Sequence, residues 1–314
     1  MTFRTRIIFL WIFFTGSIFA QPLAYVSNEG SGTVSVIDLQ KNTVINTLHV
    51  GGKPRGIYSS PNSPYIYLSE QIKEELLFIQ TKQNLLVSDR VAVGKSPEAV
   101  YVSNDGQFIT VANEEADTIS IISTKSKKIE NIIPVKGKNP EHAVFSPDGK
   151  WIYVSAEESD KVDVIDFAKR IQVAQIQVGQ RPRGIAFTPD SKTAIVAAEI
   201  DNTLYMIDVD TQSVIGKVKA GLRCNGVIVH PNGKIAYITN GGDGNVVFLD
   251  IKTQQITATV PVGKRPWNMA LSPDGKKLYV ANGRSNSVTV IDTERAQADA
   301  EISVGSLPWG LAIQ

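Results

Sequence analysis

Basic side chains recur in this chain beside one short signal, a glycine followed three residues later by a proline. Lys53 and Arg55 flank the first, Lys95 the second, Lys138 the third, and Arg181 and Arg183 the fourth. Arg223 stands beside the fifth, and Lys264 and Arg265 beside the sixth. Glu98 and Glu141 are the acids at these positions. Trp267 and Trp309 follow two of the prolines, and Asn225 follows Cys224, which stands where the pattern expects proline. Guanidinium groups bind carboxylates in bidentate fashion and indole rings offer a stacking face. A ring built from Lys53, Arg55, Arg181, Arg183, Arg223, Arg265, Trp267, Trp309 and Asn225 would therefore suit a planar, polyanionic ligand or an acidic partner. The competing reading is ordinary pairing. Adjacent segments carry Glu29, Glu70, Glu114, Glu157, Glu158, Glu199 and Asp201, and surface charges commonly do no more than pair and solvate.

Catalytic signals are sparse. His142 next to Glu141 could act as a general base, but no serine or cysteine stands at an equivalent position of the pattern to serve as nucleophile. Cys224 is the only cysteine; no intramolecular disulfide can form, and a small buried filler is the expected role for it. The three histidines, His49, His142 and His230, are far apart, and no Cys-x-x-Cys-His sequence occurs. Neither a histidine-rich metal centre nor covalently attached haem is expected.

The elements that must position these residues follow from the spacing. The fourth positions of the signal fall at Pro54, Pro97, Pro140, Pro182, Cys224, Pro266 and Pro308, in steps of 43, 43, 42, 42, 42 and 42 residues. Each period holds four short runs rich in β-branched and aromatic residues, separated by turns such as Ser146-Pro-Asp-Gly149 and Ser272-Pro-Asp-Gly275. Proline presets φ in such a turn, aspartate bonds nearby amides and glycine takes positive φ. One four-stranded sheet cannot bury both faces by itself, so the units must stack, and radial stacking makes a propeller. The chain enters late in a unit, at Ala24-Tyr-Val-Ser-Asn28, and leaves early in one, at Pro308-Trp-Gly-Leu-Ala-Ile313. The expected fold is all-β: seven blades of four antiparallel strands, the last blade shared between the two ends so that no sheet edge is left open. The Gly-x-x-Pro connections and the loops between second and third strands should then share one face around the channel mouth.

Composition sets the compartment and excludes some partners. The 314 residues are 42% hydrophobic and 20% charged, sufficient for a large core. Arg4 and Arg6 precede the apolar run Ile7–Phe14, and Ala20 comes before Gln21-Pro22, the layout of a secretory signal peptide over residues 1–20. The single domain would be 21–314, periplasmic, monomeric and without a membrane span after cleavage. Removing Arg4 and Arg6 leaves 30 basic residues against 31 acidic ones, so bulk charge gives no reason to expect nucleic acid.

Tyr25-Val-Ser-Asn28 and Tyr279-Val-Ala-Asn282, with the Val-x-Val-Ile-Asp and Val-Gly-x-x-Pro segments that follow, resemble the YVTN family of β-propeller repeats over essentially the whole mature chain. Length, leader, split blade and the final Pro-Trp-Gly-Leu-Ala segment are most similar to the propellers associated with pyrroloquinoline quinone (PQQ)-dependent catabolism. That resemblance implies a non-enzymatic scaffold with no intrinsic cofactor, binding PQQ itself or a partner at the mouth. The implied partners are a periplasmic quinoprotein dehydrogenase, a c-type cytochrome or an export-system component. Two alternatives stay open: a lactonase-like propeller hydrolase using Arg183, His142 and Glu141, and a surface or adhesion propeller.

Overall fold

A computed structural model describes residues 22–60, 63–82 and 84–314; the expected leader, 1–20, lies outside them. Its strands, numbered β1 (Leu23–Asn28) to β28 (Pro308–Ile313) in chain order, form seven four-stranded antiparallel sheets arranged in a ring. The inner strand of each blade begins at the repeated fourth position: β4 (Pro54–Ser59), β8 (Pro97–Val102), β12 (Pro140–Phe145), β16 (Pro182–Phe187), β20 (Cys224–Val229), β24 (Pro266–Leu271) and β28. The seventh blade is β28-β1-β2-β3, with β2 at Thr33–Asp38 and β3 at Thr43–His49. Ala24 pairs with Ile313 and Val26 with Leu311, so the chain ends close the ring as the split repeat requires. Among the described residues no helix is long and apolar enough to cross a membrane.

The core is divided among the contacts between neighbouring blades. Val144, Tyr153 and Val164 of one blade pack on Ile185, Val196 and Tyr205 of the next; burying a side chain such as Ile185 is worth about 1.5–3 kcal/mol. The Ser-Pro-Asp-Gly turns form as their chemistry dictates. Ser146 Oγ donates to Asp148 Oδ1 at 2.6 Å, the Lys150 amide donates to the same oxygen at 3.1 Å, and Gly149 takes φ 72°.

One irregularity recurs in every blade and matters for the site. Each inner strand carries a bulge just after its first residue: Pro182 pairs with Ala198, yet Ile185 pairs with Val196, so two residues of β16 span a step that its partner crosses in one. The same shift occurs in β4, β8, β12, β20 and β24, and at the β28–β1 seam. A bulge twists its strand and re-aims the side chains within it. Here it re-aims the residue after each proline: Arg55 and Arg183 reach the glutamates of the mouth, whereas Trp309 turns into the channel wall. Buried hydroxyls of the preceding blade hold the bulge: Ser27 Oγ donates to the Arg55 carbonyl at 2.5 Å, Ser69 Oγ to that of Glu98 at 2.5 Å, and Thr239 Oγ1 to that of Trp267 at 2.7 Å.

Candidate functional site

Three sets of equivalent positions converge at the mouth. The bulged residues after the prolines are Arg55, Glu98, Glu141, Arg183, Asn225, Trp267 and Trp309. The first residues after the second strands are Glu29, Gln71, Glu114, Glu157, Glu199, Gly241 and Gly283. The residues before the prolines include Arg181, Arg223 and Arg265, held at φ 59°, 55° and 53°. As the repeat implied, the Gly-x-x-Pro connections and the loops between second and third strands share one face.

The centre of this face is Glu199, whose side chain is fully buried. Its Oε2 contacts Arg183 Nε at 3.1 Å and Arg181 Nε at 3.5 Å; its Oε1 contacts Arg265 Nη2 at 2.8 Å and Arg223 Nη1 at 3.3 Å. Burial pushes this carboxyl up, but Arg183 and Arg265 outweigh burial and hold it below the ordinary range. Arg183 also contacts Glu141 at 2.5 Å and Glu157 at 3.0 Å, so one guanidinium gathers three glutamates. Arg55 forms a second knot with Glu98 at 2.5 Å and Glu29 at 3.3 Å.

The acids differ in protonation. Burial first, then the charge of Glu141, pushes Glu157 up to about 7, against the pull of Arg183 and Arg181, with which it is also paired. Glu98 is raised by burial and by Glu141. In Glu141 burial is outweighed by the charge of Arg183, which keeps it ionised. Neighbouring carboxyls pushed in opposite directions are the usual arrangement for acid–base work. Glu98, Glu114 and Glu141 also bring oxygens within 4.8 Å of one another. These are hard ligands suited to a calcium- or magnesium-type ion, although Arg55 and Arg183 already take one oxygen each of Glu98 and Glu141.

Two recesses flank Glu199. One, of about 390 Å³, is lined by Glu157, Glu158, Asp160, Gln180, Arg181 and Ile200. The other, of about 300 Å³, is lined by Arg223, Arg265, Arg284, Gly241 and Gly242. Glycine at 241 makes room in the second, where a Cβ would lie 2.9 Å from Arg265 Nη1; glycine at 283 makes room for the Trp267 ring, which a Cβ there would approach to 2.6 Å. Glu29, Glu157 and Glu199 pair with arginines at this position, whereas the two glycine blades supply no acid of their own and Arg223 and Arg265 lean on Glu199.

The residues expected from sequence divide accordingly. Arg181, Arg183, Arg223 and Arg265 come together around Glu199, and Arg55 joins the Glu98 side of the mouth. Lys53 is exposed and contributes its backbone amide to Glu70 at 2.7 Å. Asn225 is buried. Of the two expected stacking faces, that of Trp309 is closed off, and Trp267 is half-buried. Trp309 is 7% exposed and stacks on His142 at 6.3 Å in the channel wall, because the bulge turns it inward, and Trp267 packs over Gly283. The pairing reading accounts for Glu29, Glu157 and Glu199, whereas Glu70 accepts the amides of Lys53, Ile72 and Lys73, and Asp201 accepts the Tyr205 hydroxyl. Cys224 is buried and its thiol is pushed up to about 12, as suits a filler. His142 is buried and lowered to about 4 by that burial; Nδ1 shares a 2.7 Å hydrogen bond with the Tyr101 hydroxyl and Nε2 has no partner. Sequence reading treated Glu157 and Glu199 only as counter-charges and passed over Arg284. Aligning the residue after each second strand would have exposed the series that ends in two glycines.

Family comparison agrees with the ring. A model described as lactonase, 7-bladed beta-propeller, matches residues 166–304, and one described as YNCE-like beta-propeller matches residues 84–175. No curated protein matches the chain. Among solved structures, a chain of Kuenenia stuttgartiensis hydrazine synthase is 24% identical at a TM-score of 0.75, covering 82% of this chain and 89% of its own. A candidate 6-phosphogluconolactonase from Bacteroides uniformis is 18% identical at 0.78, covering 94% and 100%. One from Bacteroides fragilis is 17% identical at 0.78, covering 95% and 99%. At these identities the likeness is one of fold.

Proposed function

We propose that the protein is a lactonase-type hydrolase whose reaction takes place at the channel mouth. The observation that carries this reading is Glu157, a carboxyl shared between Arg181 and Arg183 that lines an open recess. The match to the seven-bladed lactonase model over 166–304 supports it, since that stretch includes Arg181, Arg183, Glu199, Arg223 and Arg265.

In this reading the lactone sits against Arg181, which stabilises the oxygen as it becomes an oxyanion. Glu157, ionised in about half the molecules near neutrality, takes a proton from water as the water oxygen attacks the carbonyl carbon. The carbonyl π bond opens onto oxygen and re-forms as the ring C–O bond breaks. Glu157 then returns its proton to the leaving alkoxide, and a hydroxy acid is released. Arg183 and Glu199 lie behind the reacting groups and hold Arg181 and Glu157 in place. Across Glu199, the arginine recess would receive an anionic substituent of the substrate. The test is base uptake during hydrolysis of a panel of sugar and simple lactones by the wild type, Glu157→Gln and Arg181→Ala.

A second reading, the non-enzymatic scaffold for PQQ-dependent catabolism in the periplasm, is supported by the sequence resemblance and by the recess of Arg223, Arg265 and Arg284. A polycarboxylate such as PQQ would dock there. Saturable PQQ binding that Arg284→Ala weakens, without any lactone turnover, would favour it.

A further inference from the structure

The central channel is chemically unlike the mouth above it. It encloses about 600 Å³ and runs from His142 and Asn268 to the turns at Pro147, Pro231 and Pro273 on the opposite face. That is the volume range of small-molecule sites. Among the described residues no charged side chain lines it. The fifth residue of each inner strand faces it, bulky at Tyr58, Tyr101 and Ile228 and small at Ala186, Ala270 and Ala312. Phe145, Phe187 and Trp309 add aromatic surface.

Among the described residues one buried polar atom in this wall has no partner. His142, 2% exposed, spends Nδ1 on Tyr101 and leaves Nε2 without a partner, whereas Asn268 donates to the Trp309 carbonyl at 3.3 Å and Ser59 to the Ile313 carbonyl at 2.7 Å. A buried polar atom without a partner costs free energy that a ligand group can recover. His142 is neutral because burial lowers it, so it meets a neutral group through either tautomer, with Tyr101 reversing its own hydrogen bond to match.

We propose that the channel binds a neutral aromatic or alicyclic molecule of one or two fused rings, bearing one hydroxyl-like group that meets His142 Nε2. The absence of lining charge disfavours anions, since a desolvated sulfonate or carboxylate would find no counter-ion. The ligand enters from the face of the Ser-Pro-Asp-Gly turns, so this site is separate from the arginine mouth and does not depend on hydrolysis there.

The experiment uses 2-naphthol as probe, followed by its fluorescence and by calorimetry. Expected are saturable binding with one site per chain and affinity at least about tenfold weaker for 2-naphthalenesulfonate. Ala270→Trp and Ala186→Trp, each placing an indole in the channel, should weaken naphthol at least about tenfold while retaining a cooperative melt; two positions guard against one variant failing to fold. His142→Phe should weaken naphthol more than naphthalene, and Lys264→Ala, at an exposed position of the mouth, should leave naphthol binding unchanged. Equal affinity for the sulfonate, a stoichiometry other than one, or indifference to both tryptophan variants would overturn the proposal.

Discussion

Arg265 Nη2 donates to Glu199 Oε1 at 2.8 Å across 66 residues of sequence, joining two connections that flank the mouth. With Arg181, Arg183 and Arg223 on the same carboxylate, Glu199 is the one group whose removal leaves four guanidinium groups facing each other. Glu199→Ala should therefore destabilise the fold by about 3–5 kcal/mol, the cost of stranding buried charge. Urea unfolding monitored by circular dichroism measures this. Because Glu199 is held below its ordinary value of 4.5 in the folded state, its contribution is present above that pH and is lost as pH falls through the folded value.

Glu157 has the opposite linkage. Raised from 4.5 to about 7, it favours the folded state fully below pH 4.5, and that contribution is lost as pH rises through 7. As the general base it must be ionised, so kcat/KM for lactone hydrolysis should rise about tenfold per pH unit below 7 and level off above it. Glu157→Gln should lower kcat about 10²- to 10⁴-fold and abolish this limb.

His142 should stay neutral between pH 6 and 8, because burial lowers it to about 4. Its ring resonances, followed by NMR across that range, should not titrate. His142→Phe removes the partner of a buried tyrosine hydroxyl and should cost about 1–3 kcal/mol.

Blade convergence leaves no room for a side chain at Gly184, where a Cβ would meet the backbone of Asn225, Gly226 and Val227 in the next blade. Gly184→Ala should destabilise by about 1–3 kcal/mol through this overlap, measurable as a lower urea midpoint with an unchanged slope.

Much of this architecture was legible because it repeats. The 42-residue spacing placed all seven inner strands, and the severed repeat at Ala24–Asn28 and Pro308–Ile313 placed the closure. The charged face was legible from the same phase, including the acids that could neutralise it. What sequence did not reveal depends on the bulge after each proline, whose glycines at 56, 184, 226 and 310 mark crowding but not the direction in which it turns the neighbouring side chain. It buries Trp309 against His142 instead of offering its ring to the mouth. The dominance of Glu199 over other acids was hidden for a different reason: it comes from Arg223 and Arg265 in later blades, a convergence set by ring curvature. Arg284 carries no signal in the repeat; its place in the recess comes from the space that glycine at 241 leaves beside it. The apolar channel escaped notice because its lining is spread over seven strands, three to five residues from each.

The most direct test of the central claim is base uptake by purified protein on a lactone panel at pH 7.5, with wild type and Glu157→Gln compared at equal folded concentration. The hydrolase reading predicts saturable turnover of at least one lactone by the wild type and its loss in the variant, with the melt preserved. Absence of turnover across the panel, or turnover that Glu157→Gln leaves intact, would contradict it.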